Sequence, residues 1–119
     1  GQMEGAFIMG YGCFVLEQIV YDEKGRLLTK DAATYKIPGV RDIPTKFNMQ
    51  ILTSHSDEAV LYGSKGVGEP PLHMSIAVLF AIKDAIAAAR KDVGIEEPFQ
   101  LNCPANAEQI HTLCSTKII

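Results

Sequence analysis

The sequence has no tryptophan, only three cysteines and no excess of positive charge. Cys13, Cys103 and Cys114 are odd in number and contain no Cys-x-x-Cys pair, which argues against a disulfide scaffold and a structural zinc site. We therefore expect reduced thiols in a cytoplasmic protein. The 11 basic and 14 acidic residues give a net charge of −3, so nucleic-acid binding is not expected. The longest near-apolar run, 76–82, is too short to span a bilayer, and no membrane association is expected.

The composition is that of an ordinary globular domain. Of the 119 residues, 47% are apolar and 21% are charged, which is too much apolar material for a disordered chain. A chain of this length corresponds to one domain and can bury a modest core.

Hydrophobic spacing predicts a mixture of helices and short strands. The predicted elements are a helix in 2–17, a hairpin in 18–29, strands in 46–52 and 59–62, a long helix in 72–93 and a last helix in 107–116. This order predicts an α+β domain with a small, mostly antiparallel sheet and helices packed on one face.

Three glycines interrupt the first predicted helix. Gly5, Gly10 and Gly12 each cost a helix about 1 kcal/mol relative to alanine. Two explanations fit glycine at such positions: close packing against a neighbouring helix, which we favour, or close approach of the backbone to a ligand.

The segment 63–71 combines three glycines with two prolines and precedes the long helix. Its glycine spacing matches neither a Walker phosphate loop nor a dinucleotide fingerprint, and the chain's histidines lack the i, i+4 spacing of a helical zinc site. Glu69 lies between Gly68 and Pro70. The proline biases its backbone away from the helical region, and the glycine lets another backbone or a ligand come close. On the residues alone, we favour a charge that complements the helix dipole over a functional carboxylate.

Four parts of the chain, in order, resemble one known family, the xanthine dehydrogenase and aldehyde oxidase family of molybdenum hydroxylases. These parts are 1–7, 34–38, 66–72 followed by 80–86, and 101–105. The resemblance covers nearly the whole chain. It implies that 1–119 is a single unit, the C-terminal part of the molybdopterin-binding domain of a much longer enzyme.

The resemblance also implies roles for individual residues. Glu69 matches the family's general base, and this match replaces the helix-dipole explanation. Gln2 matches a glutamine that hydrogen-bonds the pterin of the molybdenum cofactor, while Val67 and Gly68 match residues that line the same cofactor. The pterin dithiolene holds the metal in this family, so no metal ligand is expected in the chain. The 2Fe-2S clusters and FAD of such enzymes would bind outside it.

The function implied by the resemblance is oxidation of purines (xanthine or hypoxanthine), or of aldehydes and N-heterocycles, with water as the oxygen source. The implied partners are a small-molecule substrate, the rest of the parent polypeptide and a second subunit in a homodimer. The isolated chain is expected to be inactive. The alternative is a free-standing small α+β binding module without catalysis.

Overall fold

The computed structural model describes residues 1–52 and 61–114, and regular structure in these residues is helical. The first helix runs on into a π-helical turn, and the two central helices follow each other with one residue between them. The helices are α1 (Gln2–Tyr11), continued by the π-helical turn Gly12–Leu16, α2 (Glu69–Met74), α3 (Ile76–Asp92) and α4 (Ala107–Cys114), with 3-10 turns at Val40–Asp42 and Leu61–Gly63.

The predicted antiparallel sheet is wrong, because the described residues contain no strand. The segment 18–29 forms one isolated antiparallel bridge, between Tyr21 and Leu27. Its turn is instead organised by Asp22, whose carboxylate accepts hydrogen bonds from the backbone N–H of Arg26 at 2.8 Å and from the Arg26 Nε at 2.7 Å. Two short strands without a third strand or a covering helix are marginal in water, so the β-prone sequence yields a turn.

The predicted strand 46–52 keeps its alternation but has no pairing partner among the described residues. Phe47 and Met49 are half-buried, whereas Ile51, predicted to share their face, is 73% exposed. The Phe47 ring packs on Phe7 of α1 with centroids 5.5 Å apart. The alternation of apolar and polar residues in 46–52 therefore predicted part of the half-buried face that packs on α1. It carries no information on whether a neighbouring strand exists to pair with the segment. The predicted strand 59–62 lies partly outside the described residues.

The long predicted helix 72–93 is two helices. The path breaks at Ser75, and α2 begins three residues earlier than predicted, at Glu69. Pro70 and Pro71 occupy the first turn of α2, where a missing N–H costs nothing because those donors have no intrahelical partner. Glu69 therefore lies at the first position of a short helix rather than in a loop.

The ends of the last two helices follow the sequence signals. Gly94 adopts φ +79°, and the next residue donates its N–H back to the Arg90 carbonyl at 2.9 Å. Such a positive φ favours glycine. Asn106 caps α4 by accepting a hydrogen bond from the backbone N–H of Gln109 at 2.9 Å. The predicted end of this helix, residue 116, lies outside the described residues.

The buried core of the described residues is small, and many of their large apolar side chains are exposed. The fully apolar buried residues described are Ala6, Val15, Ile86 and Ala105. Residues 69–92 are long and apolar enough, by length and composition alone, to cross a bilayer, so the apolar stretch is longer than 76–82. Helices packed inside large soluble proteins meet the same criteria, and the absence of membrane association stays a prediction.

Candidate active-site cleft

A cleft of about 420 Å³ lies between α1 and the beginning of α2. Residues from two distant parts of the sequence line it. They are Gln2, Gly5, Ala6 and Met9 from α1, and Gly68, Glu69 and Leu72 from the start of α2. The two helices are each other's main packing partners.

Helical periodicity explains the α1 wall. Gln2, Gly5, Ala6 and Met9 are three or four residues apart and therefore share one face of the helix. The opposite wall is the beginning of α2. This helix starts at Glu69, directly after Gly68, and Pro70 and Pro71 occupy its first turn. Glu69 and Leu72 are also three residues apart and share a face of α2.

The glycines divide into two kinds, so both explanations offered for them apply at different positions. A β-carbon added to Gly5 or Gly68 would have no protein atom within 4 Å. Both residues line the cleft, so their backbones face open space there. By contrast, a β-carbon at Gly10 would overlap the Ser75 hydroxyl and the Leu72 carbonyl. Gly10 is therefore a packing glycine.

Two polar side chains belong to the cleft. Gln2 and Glu69 are both exposed, and within residues 1–52 and 61–114 neither side chain has a hydrogen-bond partner or an ion pair. One wall thus offers an amide with donors and an acceptor, and the other offers a carboxylate.

Three of the four predicted site residues border this cleft, namely Gln2, Gly68 and Glu69. Val67 does not line it and is 43% exposed in the irregular segment that precedes α2. The roles assigned to all four remain predictions. Sequence reasoning missed the apolar lining, Met9 and Leu72, although helical spacing from Gln2 and Glu69 would have indicated it.

The resolved pKa shifts lie outside the cleft. Burial, and then the nearby Asp42 carboxylate, raise the pKa of Tyr11. The Tyr35 hydroxyl donates a short hydrogen bond to the Glu17 carboxylate, and this bond raises the pKa of Tyr35. The described residues contain no group of three or more His, Cys, Asp or Glu side chains placed to hold a metal ion.

Comparison with known proteins adds an independent line of evidence. A family model described as "Molybdopterin cofactor-binding domain" matches residues 1–44, which contain the α1 wall. The chain is 47% identical over 114 residues to xanthine dehydrogenase/oxidase of Gallus gallus. It is 44% identical over 117 residues to xanthine dehydrogenase of Drosophila pseudoobscura pseudoobscura, and 46% identical over 114 residues to that of Calliphora vicina. These alignments cover 96–98% of this chain and 8–9% of each relative.

The cleft-bearing chain is thus a segment of a molybdopterin-binding region. It belongs to the xanthine dehydrogenase family. The resemblance drawn from its motifs is confirmed, as are the class of cofactor and the class of enzyme to which the relatives belong. The chain spans less than a tenth of the length of the curated relatives it matches.

The residues of the cleft fit a pterin-type cofactor. Gly5 and Gly68 line the cleft and leave open space next to the main chain, since an added β-carbon would meet no protein atom within 4 Å. Gln2 supplies both kinds of hydrogen-bonding group, as the edge of a pterin ring requires. Met9 and Leu72 contribute apolar surface beside them, an arrangement typical of cofactor sites, in which a few polar groups are set in a mainly apolar wall.

Proposed function

We propose that this chain forms one wall of the molybdenum–molybdopterin site of a hydroxylating oxidoreductase, with Glu69 as its general base. The parent enzyme would oxidise purines such as xanthine or hypoxanthine, or aldehydes and N-heterocycles, with water as the oxygen source. The observation that carries the proposal is that Gln2 and Glu69, from distant segments, line one cleft.

The position of Glu69 in the cleft lining supports the role of general base. A base must reach its proton within hydrogen-bond distance and be ionised at the working pH. Its side chain is exposed to the cleft, and the first turn of a helix favours a negative charge. Pro70 restricts the backbone of Glu69 on one side, while Gly68 leaves open space on the other. A carboxylate oxygen of Glu69 would accept the proton of the water-derived nucleophile.

Gln2 would bind rather than react. Its amide would hydrogen-bond the pterin from the α1 wall, while the open backbone at Gly5 and Gly68 lets the cofactor approach closely. The molybdenum cofactor, when bound, supplies the two-electron oxidation of the substrate. Val67, outside the cleft lining, would contribute at most through the segment that leads into Gly68.

The remaining functions belong to the rest of the parent polypeptide. It would bind the 2Fe-2S clusters and FAD that receive the electrons, and it would supply the other walls of the cofactor site. A homodimer in the cytoplasm is the proposed assembly. The support for a larger parent is that the relatives matched over nearly the whole of this chain are much longer than it.

The proposal is tested by Glu69→Gln in the full-length parent enzyme. The substitution keeps the size of the side chain and removes its basicity, so turnover per bound molybdenum should fall by about 10²–10⁴-fold. Molybdenum and pterin contents should equal those of the wild type. The matched control is Glu23→Gln, an exposed glutamate in the 18–29 turn, which should change neither. Turnover within a few-fold of wild type at full molybdenum occupancy would contradict the role of Glu69.

A further inference from the structure

We propose that Gly10 is a positioning residue for the general base, acting through the close approach that it allows between α1 and α2. The inference rests on the proposed function of Glu69 and goes beyond it, because Gly10 itself does not line the cleft. Its role is to set how far the carboxylate of Glu69 lies from the cofactor-binding face of α1.

The contact at Gly10 involves the backbone of α2. Gly10 is buried, and a β-carbon there would overlap both the Leu72 carbonyl and the Ser75 hydroxyl. A flexible side chain could turn away from such an overlap, but a helix carbonyl can move only with its helix. Any side chain at this position must therefore displace α2 from α1.

Ser75 makes the contact rigid from the other side. It is 0% exposed, and its Oγ donates a 2.6 Å hydrogen bond to the carbonyl of Leu72, the same carbonyl that faces Gly10. Ser75 is also the residue at which α2 ends and α3 begins. The junction of the two helices is thus held directly against α1.

Displacement at this contact would reach the site because α2 is only six residues long. Leu72 lines the cleft one helical turn after Glu69, so the carbonyl that touches Gly10 and the carboxylate that reacts belong to one short rigid unit. On α1, the wall from Gln2 to Met9 ends immediately before Gly10. The Gly10 contact therefore fixes the two cleft walls relative to each other.

The test is Gly10→Ala in the full-length, cofactor-loaded parent, with kcat expressed per bound molybdenum so that only loaded enzyme is counted. A misplacement of about 1 Å can cost roughly 10²-fold in rate, and we expect a loss of this order with KM for the substrate unchanged. Ser75→Thr keeps the hydroxyl and adds a methyl group from the α2 side. Ser75→Thr should likewise lower kcat per molybdenum and leave KM unchanged. If Gly10→Ala does not fold, the result for Ser75→Thr tests the positioning role.

Gly12→Ala is the matched control. A β-carbon at Gly12 would also meet close neighbours, but these are the Pro38 ring and the Glu17 carboxylate rather than α2. Gly12→Ala should lower the melting temperature and leave kcat per molybdenum at the wild-type value. Equal kcat per molybdenum in all three variants, or loss of all molybdenum from both Gly10→Ala and Ser75→Thr, would overturn the positioning role. The Glu69→Gln result is independent of this comparison, so failure of the proposed function is distinguishable from failure of the inference.

Discussion

At the scale of single residues, the proposed site depends on one amide and one carboxylate presented by different helices. The sequence identified Gln2, Gly68 and Glu69 only through motifs, because isolated polar residues carry no signal of what they will face. Helical spacing could have added Met9 and Leu72. The pairing of the two walls is a tertiary contact through Gly10, and local sequence patterns do not encode which helix will meet it.

Gln2→Ala in the full-length parent should weaken cofactor retention more than it affects the chemistry. A lost neutral hydrogen bond costs about 0.5–1.5 kcal/mol, and more if its partner stays buried and unpaired. We expect lower pterin and molybdenum content after extended dialysis, with turnover per remaining molybdenum close to wild type. Gln50→Ala, at an exposed glutamine outside the cleft, is the control. Equal cofactor content in Gln2→Ala and wild type would make Gln2 a structural residue only.

At the scale of elements, the helices were predictable and the sheet was not. Periodicity, Gly94 and the Asn106 cap located the later helices because these signals are local. The break at Ser75 was missed since both sides of it are helical in propensity. The strand predictions were wrong because alternation of apolar and polar residues indicates burial only. A strand forms only when a neighbouring strand supplies its backbone hydrogen bonds.

Gly5→Ala separates the stability of α1 from its function. Gly5 is helical and exposed, and a β-carbon there meets no protein atom. Alanine is better than glycine in a helix by about 1 kcal/mol, so thermal stability of the full-length apoenzyme should be unchanged or slightly higher. Because Gly5 lines the cleft, we expect the added methyl group to reduce the space beside its backbone and cofactor retention to fall. A variant with normal molybdenum content would show that no cofactor lies against this face.

The stability of the turn around Asp22 should depend on pH. Hydrogen bonds from the Arg26 backbone and side chain lower the pKa of the Asp22 carboxyl below its usual 3.8. A carboxyl with a lowered folded-state pKa stabilises the folded form above the unfolded pKa, and this contribution is lost as the pH falls through the folded pKa. The Arg26 amide should therefore exchange faster with solvent well below pH 3.8 than at pH 6, after correction for intrinsic rates. In Asp22→Asn this added pH dependence should disappear, and its persistence would assign the effect to another group.

At the scale of the whole molecule, the described residues expose many large apolar side chains and bury few. Met74 is 66% exposed and Phe80 55% exposed on consecutive helices, while the fully buried side chains are few. Large exposed apolar patches on soluble proteins usually mark surfaces that contact other parts of the protein or a partner. The relatives are matched over less than a tenth of their length, and we expect the rest of the parent polypeptide to cover these side chains.

The isolated 119-residue chain should therefore self-associate and remain inactive. Size-exclusion chromatography with light scattering should give dimers or larger species. Hydroxylation assays with added molybdenum cofactor should give no turnover of xanthine or of aldehydes, because in the proposed function the chain supplies only one wall of the site and the electron acceptors bind elsewhere in the parent. A strictly monomeric chain that turns over either substrate would contradict the assignment of this chain to one wall of a larger site.

The most direct test of the account is an experimental structure of the full-length parent with its native cofactor bound. We expect the pterin to lie in the cleft between α1 and α2, within hydrogen-bonding distance of the Gln2 amide. The Glu69 carboxylate should face the molybdenum across the same cleft. A cofactor bound elsewhere, with the cleft filled by side chains of the parent polypeptide, would contradict the central claim.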